Sequence, residues 1–458
     1  MPKPILHVLG YKLVLNLYLA LVRGAAYTGH RQAAALIRGR RRTRNYLRQA
    51  SVPDPHALGE STRTGPWIWF HAASAGELEQ ALPLMAAWRR RCPEDRILLS
   101  IYSPSAYREG HTPPEADLCL MLPADQPQEV RLWLDAFKPS LAVFVKYEYW
   151  FHFFEAMHRR GIPLYLVCVR LGPEHPYLKP WIKPWWMHLA QCVTAFMVQD
   201  LATAHLLQSL GLSRIHVCGD TRFERVGQMA ALAFEDKVLS AFATPETDLA
   251  SRRQPVLVGG STWGPDHRLL VRILDRQRQN PGTGSAWRLI LVPHEVDTVS
   301  LEHLHQVLVS YPQLCWSTYS RLHQLPASEL ARTCQGLHLL VVDRKGLLSR
   351  IYRYGQAAWV GGGYGVGLHN ILEPAVYGLR VAFGPNYRKS LEARELLELG
   401  YASALNGTAP QQEEKLLNFL ENALKDGPEM GQQIKAYCAG KSGASACMLQ
   451  HILGPEQP

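Results

Sequence analysis

The chain predicts two doubly wound, Rossmann-like α/β domains in succession behind an N-terminal amphipathic helix. Three observations carry that prediction. From Trp67 onward, short apolar runs alternate with longer amphipathic stretches, as parallel strands covered by helices on both faces require. The series loosens after Arg225 and restarts at Val256. A length of 458 residues also exceeds one ordinary core and suits two of roughly 200 residues. Hydrophobic content of 47% and charged content of 19% fit a folded protein with ample apolar surface to bury.

The order of elements starts with a basic segment, residues 1–50, which holds ten Lys/Arg and no acid. Those ten leave 39 of the 49 basic residues against 39 acidic ones, so the formal +10 belongs entirely to this end. A neutral body with one cationic end fits an anionic membrane surface and argues against a wrapped nucleic acid. Residues 5–26 are apolar but interrupted, with unbroken stretches short of the ~20 residues that span a bilayer. At about 100° per residue, Lys12, Asn16 and Arg23 share one helical face, which describes a helix lying in the interface. The basic run at 40–44 would then meet lipid headgroups. A helix packed on the first domain and a single anchor helix stay open. A cleaved signal peptide is disfavoured because Lys12 and Asn16 break its apolar region.

A first domain is expected over 51–235, with strands at 67–70, 97–101, 141–145, 164–169, 196–198 and 215–218 and helices such as 78–91 and 202–210. A linker at 236–254, with Pro245 and Arg252–Arg253, separates it from a second domain over 255–458. Strands there fall at 256–258, 289–292, 339–342, 357–360 and 380–383. Ligands of such sheets sit at the carboxyl ends of the strands, so a cleft between two such domains would be lined by the residues just after each run. Nine scattered cysteines without a C-x-x-C pair predict reduced, mostly buried thiols, with neither a disulfide framework nor a metal site.

Four strand ends carry candidate chemistry. Gly361, Gly362 and Gly363 open a loop that continues through Gly365 and Gly367 to His369, Asn370, Ile371, Leu372, Glu373 and Pro374. Glycine amides and a helix starting near Asn370 would cradle a phosphate, and Glu373 would meet ribose hydroxyls. The other reading is a tight turn between buried elements. The run from His71 through Ser74 and Gly76 to Glu77 sits between a strand and a helix. Glu77 is a general base kept ionised by the helix dipole, or an acid that merely complements that dipole. Lys146, Tyr147, Glu148, Tyr149 and Trp150 end a third strand, and Gly219, Asp220, Thr221 and Arg222 a fourth, where Arg222 could neutralise a phosphate or carboxylate.

Taken together, the 71–77 turn, the 146–150 segment, the 219–223 turn, Asp343-Arg344-Lys345-Gly346-Leu347-Leu348, the 361–374 loop and Phe383-Gly384-Pro385-Asn386 resemble the 3-deoxy-D-manno-octulosonic acid (Kdo) transferases. The resemblance spans about residues 65–400 in the right order. It implies a GT-B fold, CMP-Kdo as donor, a lipid A precursor as acceptor and no cofactor beyond the donor. It also implies a place on the cytoplasmic face of the bacterial inner membrane, and it leaves oligomeric state open. By it, Glu77 is the base, Glu148 a second essential acid, and Arg222 stands where the family commonly has Lys. The CMP contacts carry over to Pro293, His294, Lys345, Gly346, Leu347, Asn370, Ile371, Leu372 and Glu373. Departures fall in the donor motifs. A common P-R-H reads Pro293-His294-Glu295, S-T-H reads Ser261-Thr262-Trp263, and M-G-E reads Lys345-Gly346-Leu347. No D-x-D pair marks a catalytic metal. The rivals are a UDP-sugar-dependent GT-B enzyme acting on another lipid-linked acceptor, a scaffold protein without catalysis, and a dinucleotide-dependent oxidoreductase. The last is disfavoured because no G-x-G-x-x-G opens either sheet.

Overall fold

The computed structural model describes residues 5–50, 63–107, 110–243, 254–279, 286–365 and 367–455. The chain forms two units, one of Met1–Arg225 with Lys441–Pro458, the other of Val226–Gly440. Two expectations are thereby corrected. The first unit ends at Arg225, and the last stretch of chain returns to it. The reason for that return is apolar: Ala444, Met448 and Leu449 on the helix Ala444–Leu453 are buried in the first unit's core beside Trp88 and Met85. Part of the expected linker is a helix, Lys237–Ala243, whose Val238, Leu239 and Phe242 are buried in the second unit. Residues 244–253 lie outside the described residues.

In the first unit the described strands are β1 (Trp67–Ala72), β2 (Arg96–Ile101), β3 (Leu118–Met121), β4 (Leu141–Val145), β5 (Leu164–Val169), β6 (Ala195–Val198) and β7 (Ile215–Val217). They form one parallel sheet in the order β3-β2-β1-β4-β5-β6-β7. β1 is buried at every position, which is why it reads as an unbroken apolar run with aromatic residues. Trp69 packs with Trp133, Phe144 and Phe153 on one face, and Phe70 with Trp88 on the other. The order reverses between β1 and β4, the topological switch point where ligands of such sheets bind.

The second unit repeats the architecture with β8 (Val256–Thr262), β9 (Arg288–Pro293), β10 (Trp316–Thr318), β11 (Leu339–Val341), β12 (Ala357–Val360), β13 (Arg380–Phe383) and β14 (Ala402–Ala404). Its parallel sheet runs β10-β11-β9-β8-β12-β13-β14, with the reversal between β8 and β12. The strands absent from the sequence reading, β3, β10 and β14, are three or four residues long and all lie at sheet edges. An edge strand is paired on one side only, so a short and partly polar run suffices there.

The N-terminal segment forms two helices, α1 (Ile5–Tyr27) and α2 (Arg31–Ala50). One face of α1 is tied to the first unit. Leu15 and Leu19 are buried against Ala124, the Tyr11 hydroxyl donates to Asp125 Oδ2 at 2.5 Å, and Tyr18 meets the Tyr102 hydroxyl. A second face leaves Leu9, Leu13, Val14, Leu17 and Leu21 between 58% and 71% exposed. By length and composition, the stretch Val8–Tyr27, at a mean hydropathy of 1.3, is long and apolar enough to cross a membrane. The expected lipid-facing run at 40–44 divides. Arg40 lies over the Tyr102 ring and bonds the Leu122 carbonyl, and Arg44 pairs with Glu129 at 2.7 Å. Arg31, Arg38, Arg41 and Arg48 are exposed.

Candidate active site

β1 ends at Ala72, and the chain turns through Ala73 and Ser74 into α3 (Ala75–Arg91). Ser74 is the N-cap and Glu77 the third helical residue, and the two form a capping box. The Ser74 hydroxyl accepts from the Glu77 amide at 3.4 Å, while Glu77 Oε2 accepts from the amides of Ala73 at 2.7 Å and Ser74 at 3.1 Å. No hydrogen bond to Oε1 occurs among the described residues. Glu77 therefore has both roles proposed from sequence within reach: one oxygen caps the helix and the other is available. The expectation about its ionisation needs correction. Burial pushes the Glu77 carboxyl above its ordinary value, against the opposing pull of Lys146 and the capping amides.

β4 ends at Val145, and Lys146 takes the left-handed region at φ 62, uncommon for a side-chain-bearing residue. The turn brings round Glu148, half-buried, whose carboxyl is pushed up to about 8 by burial and, next, by the negative charge of Glu77. Two carboxyl groups three strands apart in sequence order thus share the β1–β4 switch point. One carries its proton at neutral pH and the other is the better candidate for ionisation, the division that acid–base chemistry uses. Trp150 anchors this loop to β1 by donating its indole N–H to His71 Nε2 at 3.2 Å. His71 Nδ1 meets Ser100 Oγ at 2.8 Å and its carbonyl at 3.2 Å. An indole nitrogen only donates, so the His71 proton sits on Nδ1. Full burial holds the ring neutral, pushing it down to about 3. His71 is thus a strut of the site.

Arg222, which follows β7, is placed by Asp220. Asp220 is buried and accepts from Gln80 at 2.8 Å, Gln199 at 2.9 Å, and the Arg222 amide and Nε at 2.9 and 2.8 Å. Burial raises this carboxyl, but Arg222 and the amide donors outweigh it and hold it below its usual value. The guanidinium is fixed in direction by Nε and Nη2 both meeting Asp220 Oδ2, and part of its charge is spent on Asp220. Asp220 is a positioning residue that the sequence showed only as a neighbour.

In the second unit the carried-over residues fall on the loops after β9, β11 and β12, strands that lie side by side with β8. Gly361 is required by close approach: a Cβ there would stand 2.2 Å from the Ser261 carbonyl oxygen, on the neighbouring β8. Gly362 has φ +89, and a Cβ would come 2.3 Å from the Gly367 oxygen. The tight-turn reading of this loop accounts for these two glycines. Their amides are also partly committed, that of Gly361 to the Gly260 carbonyl and that of Gly362 to the buried Asp266, with Gly365 bonding Gly362. Burial pushes the Asp266 carboxyl up to about 6 while these donors oppose it. The expected phosphate cradle is thus narrower than the glycine count implies.

The helix expected from Asn370 is also shorter, only Leu372–Ala375. One turn sums few peptide dipoles, so the half-charge of a full helix is not available there. Asn370 instead caps the turn, its Oδ1 accepting from the Leu372 amide at 3.1 Å and its amide donating to Glu373 Oε1 at 3.4 Å. Ile371 and Leu372 are buried and hold the loop down. Pro293 closes β9, and His294 follows it between two rings, 4.7 Å from Trp263 and 4.3 Å from His369 by centroid. Trp263 donates its indole N–H to His369 Nε2 at 3.0 Å, and burial pushes His369 down to about 4. This stack joins two of the positions that depart from the family motifs, Trp263 and His294. Spacing alone could not have paired residues 263, 294 and 369. Lys345 is exposed and pairs with Glu295 at 2.9 Å, the acid that stands in the last place of the altered P-R-H. Gly346 has φ +85, and Leu347 starts the four-residue helix Leu348–Ile351.

Two parallel sheets of this topology, each with polar loops at its switch point, define the GT-B class of glycosyltransferase architecture. A UDP-GlcNAc 2-epimerase from Neisseria meningitidis has a similar fold at a TM-score of 0.55 and 12% identity, covering 85% of this chain and 100% of that one. Residues 40–225 match the model of the family described as 3-deoxy-D-manno-octulosonic-acid transferase (kdotransferase), a span that contains Glu77, Glu148 and Arg222. The 3-deoxy-D-manno-octulosonic acid transferase of Chlamydophila psittaci is 26% identical over 356 residues, 75% of this chain and 76% of that protein. That of Aquifex aeolicus is 25% identical over 336 residues, 72% and 79% of the two chains. By these likenesses the chain is a glycosyltransferase similar to the Kdo transferases over most of its length.

Proposed function

We propose that the protein transfers Kdo from CMP-Kdo to a glucosamine hydroxyl of a lipid A precursor, with inversion, in lipopolysaccharide assembly at the cytoplasmic face of the bacterial inner membrane. The observation that carries this reading is the pair Glu77 and Glu148 at the β1–β4 switch point, inside the span that matches the family. Glu77 Oε1 takes the proton from the acceptor hydroxyl as the sugar–phosphate bond breaks. A carboxyl raised by burial is a stronger base than an ordinary glutamate. Glu148 keeps its proton and donates a hydrogen bond. The anomeric carbon of Kdo is fully substituted and carries a carboxylate, so the transition state is oxocarbenium-like and needs charge management. Arg222, aimed by Asp220, meets that need on the first unit.

On the second unit the reading assigns CMP to the loops bearing Pro293 and His294, Lys345 to Leu347, and Gly361, Gly362 and Asn370 to Glu373. The ring of His294 within its aromatic stack takes the part of the missing arginine. The donor is the only small molecule the reaction needs, and the lack of a D-x-D pair supports a route without a catalytic metal. The exposed apolar face of α1 supports membrane contact.

Purified protein incubated with CMP-Kdo and a tetra-acylated lipid A precursor, followed by mass spectrometry, tests the reading. Added Kdo residues are expected. A chain that is stabilised on heating by UDP but not by CMP, and that leaves the acceptor unmodified, is instead a UDP-sugar enzyme.

A further inference from the structure

The cysteine pattern of the sequence offered neither a disulfide nor a metal site, yet the first unit joins Cys218 to Cys447 across 229 residues. The surroundings of that bond hold more than two sulfurs. Cys447 and His451 are one helical turn apart on the helix Ala444–Leu453 and so point the same way. His216 on the edge strand β7 and Cys218 just after it are two residues apart on extended chain, again on one face. Ligand atoms of Cys218, Cys447 and His451 all lie within 4.8 Å of one another. The His216 and His451 rings lie face to face with centroids 3.7 Å apart. His216 joins the other three through its ring contact with His451, so that once the disulfide is reduced two thiols and two imidazoles, in an i, i+2 pair and an i, i+4 pair, supply the Cys2His2 set that tetrahedral zinc selects.

We propose that His216, Cys218, Cys447 and His451 form a structural zinc site when the Cys218–Cys447 bond is reduced, fastening the C-terminal helix to β7. The chemistry balances in two steps. A dithiol reductant supplies two electrons and two protons, converting the protein disulfide to two thiols and becoming a disulfide itself. Zn2+ then binds two thiolates and two neutral imidazoles, releasing the two thiol protons. Thiolates held about 2.3 Å from a tetrahedral ion stand on the order of 3.8 Å apart. The sulfurs therefore need only side-chain movement to part, since the two Cα atoms are already 5.5 Å apart. In a reducing compartment the same four residues would replace a covalent staple with a metal one. The proposal does not depend on the assignment of the transfer chemistry.

The test is cobalt titration of the full chain, stripped of metal and reduced by a phosphine under anaerobic conditions. The expected result is uptake of one cobalt per chain, with thiolate-to-metal charge-transfer and tetrahedral d–d absorption, displacement by zinc and release of two protons per ion. The same protein with its disulfide intact should take up none. Cys447→Ser should lose the charge-transfer band, and His451→Gln, an exposed change, should weaken binding at least about tenfold while the circular dichroism spectrum stays unchanged. A reduced chain that binds no cobalt, or a Cys218→Ser/Cys447→Ser chain that binds it as well as wild type, overturns the proposal and leaves the pair a disulfide alone.

Discussion

Single side chains divide the work at the β1–β4 switch point, and their protonation is set by what surrounds them. Glu77 is the residue on which transfer should turn. Glu77→Gln keeps an acceptor for the Ala73 and Ser74 amides, so the helix start survives while the base is lost. Turnover should fall by about 10²–10⁴-fold with CMP affinity intact, and near-normal turnover would remove Glu77 from the mechanism. Glu148 makes a prediction of the opposite kind. Unfolded, it loses its proton near the ordinary value of about 4.3; folded, it keeps it to about 8. Between those values the folded state binds more protons, so Glu148 lowers stability progressively as pH rises and no further above about 8. Glu148→Gln fixes the neutral form. It should leave Tm unchanged near pH 4 and raise it near pH 9, and equal shifts at both ends of a melting series would contradict the burial argument.

Turns decide how these residues are presented. Ser74→Ala removes one half of the capping box and should cost about 1 kcal/mol in urea unfolding. A loss below a few tenths would mean that Glu77 alone holds the helix start. Gly361→Ala places a methyl group against the Ser261 carbonyl, so either β8 or the loop must move. CMP binding by calorimetry should weaken more than tenfold, with the first unit's melting unaffected. The sequence announced these turns but not their contents. Central strands such as β1 and β12 were legible because burial on both faces leaves an unbroken apolar run. The edge strands β3, β10 and β14 were not, because three or four half-paired residues carry too little pattern. The expected helix after Asn370 dwindled to one turn because Pro374 and the buried Ile371 and Leu372 serve the loop's packing. The stack of Trp263, His294 and His369, and the clamp of Arg222 by Asp220, depend on strand neighbours far apart in sequence.

At the scale of the whole molecule, the charge asymmetry and the doubling of the fold were legible, and the return of the C-terminus was not. That return rests on Ala444, Met448 and Leu449, three small or apolar residues in a chain full of similar runs. The first unit, with α1 on its surface, is the part expected to meet lipid. Five leucine and valine side chains left in water forgo about 1.5–3 kcal/mol each of burial, a cost that a membrane interface would remove. Replacing Leu13, Leu17 and Leu21 by Asp should abolish flotation with anionic vesicles while leaving Tyr11 and Tyr18 to hold α1 in place. Undiminished flotation would shift the lipid contact to the exposed arginines of α2.

The helix Ala444–Leu453 packs on α3, the helix that begins at Ser74 and bears Glu77. The ribosome makes α3 well before its packing partner, with all of Val226–Gly440 emerging in between. The second unit is continuous in sequence and free to fold as it leaves the exit tunnel. The first must wait with an apolar flank of α3 uncovered until the helix Ala444–Leu453 has emerged. A chain halted near residue 440 would therefore carry a finished second unit and an incompletely packed α3. Completion of the packing of α3 is tied to the emergence of residues 441–455, and products cut short of them would be sticky toward chaperones.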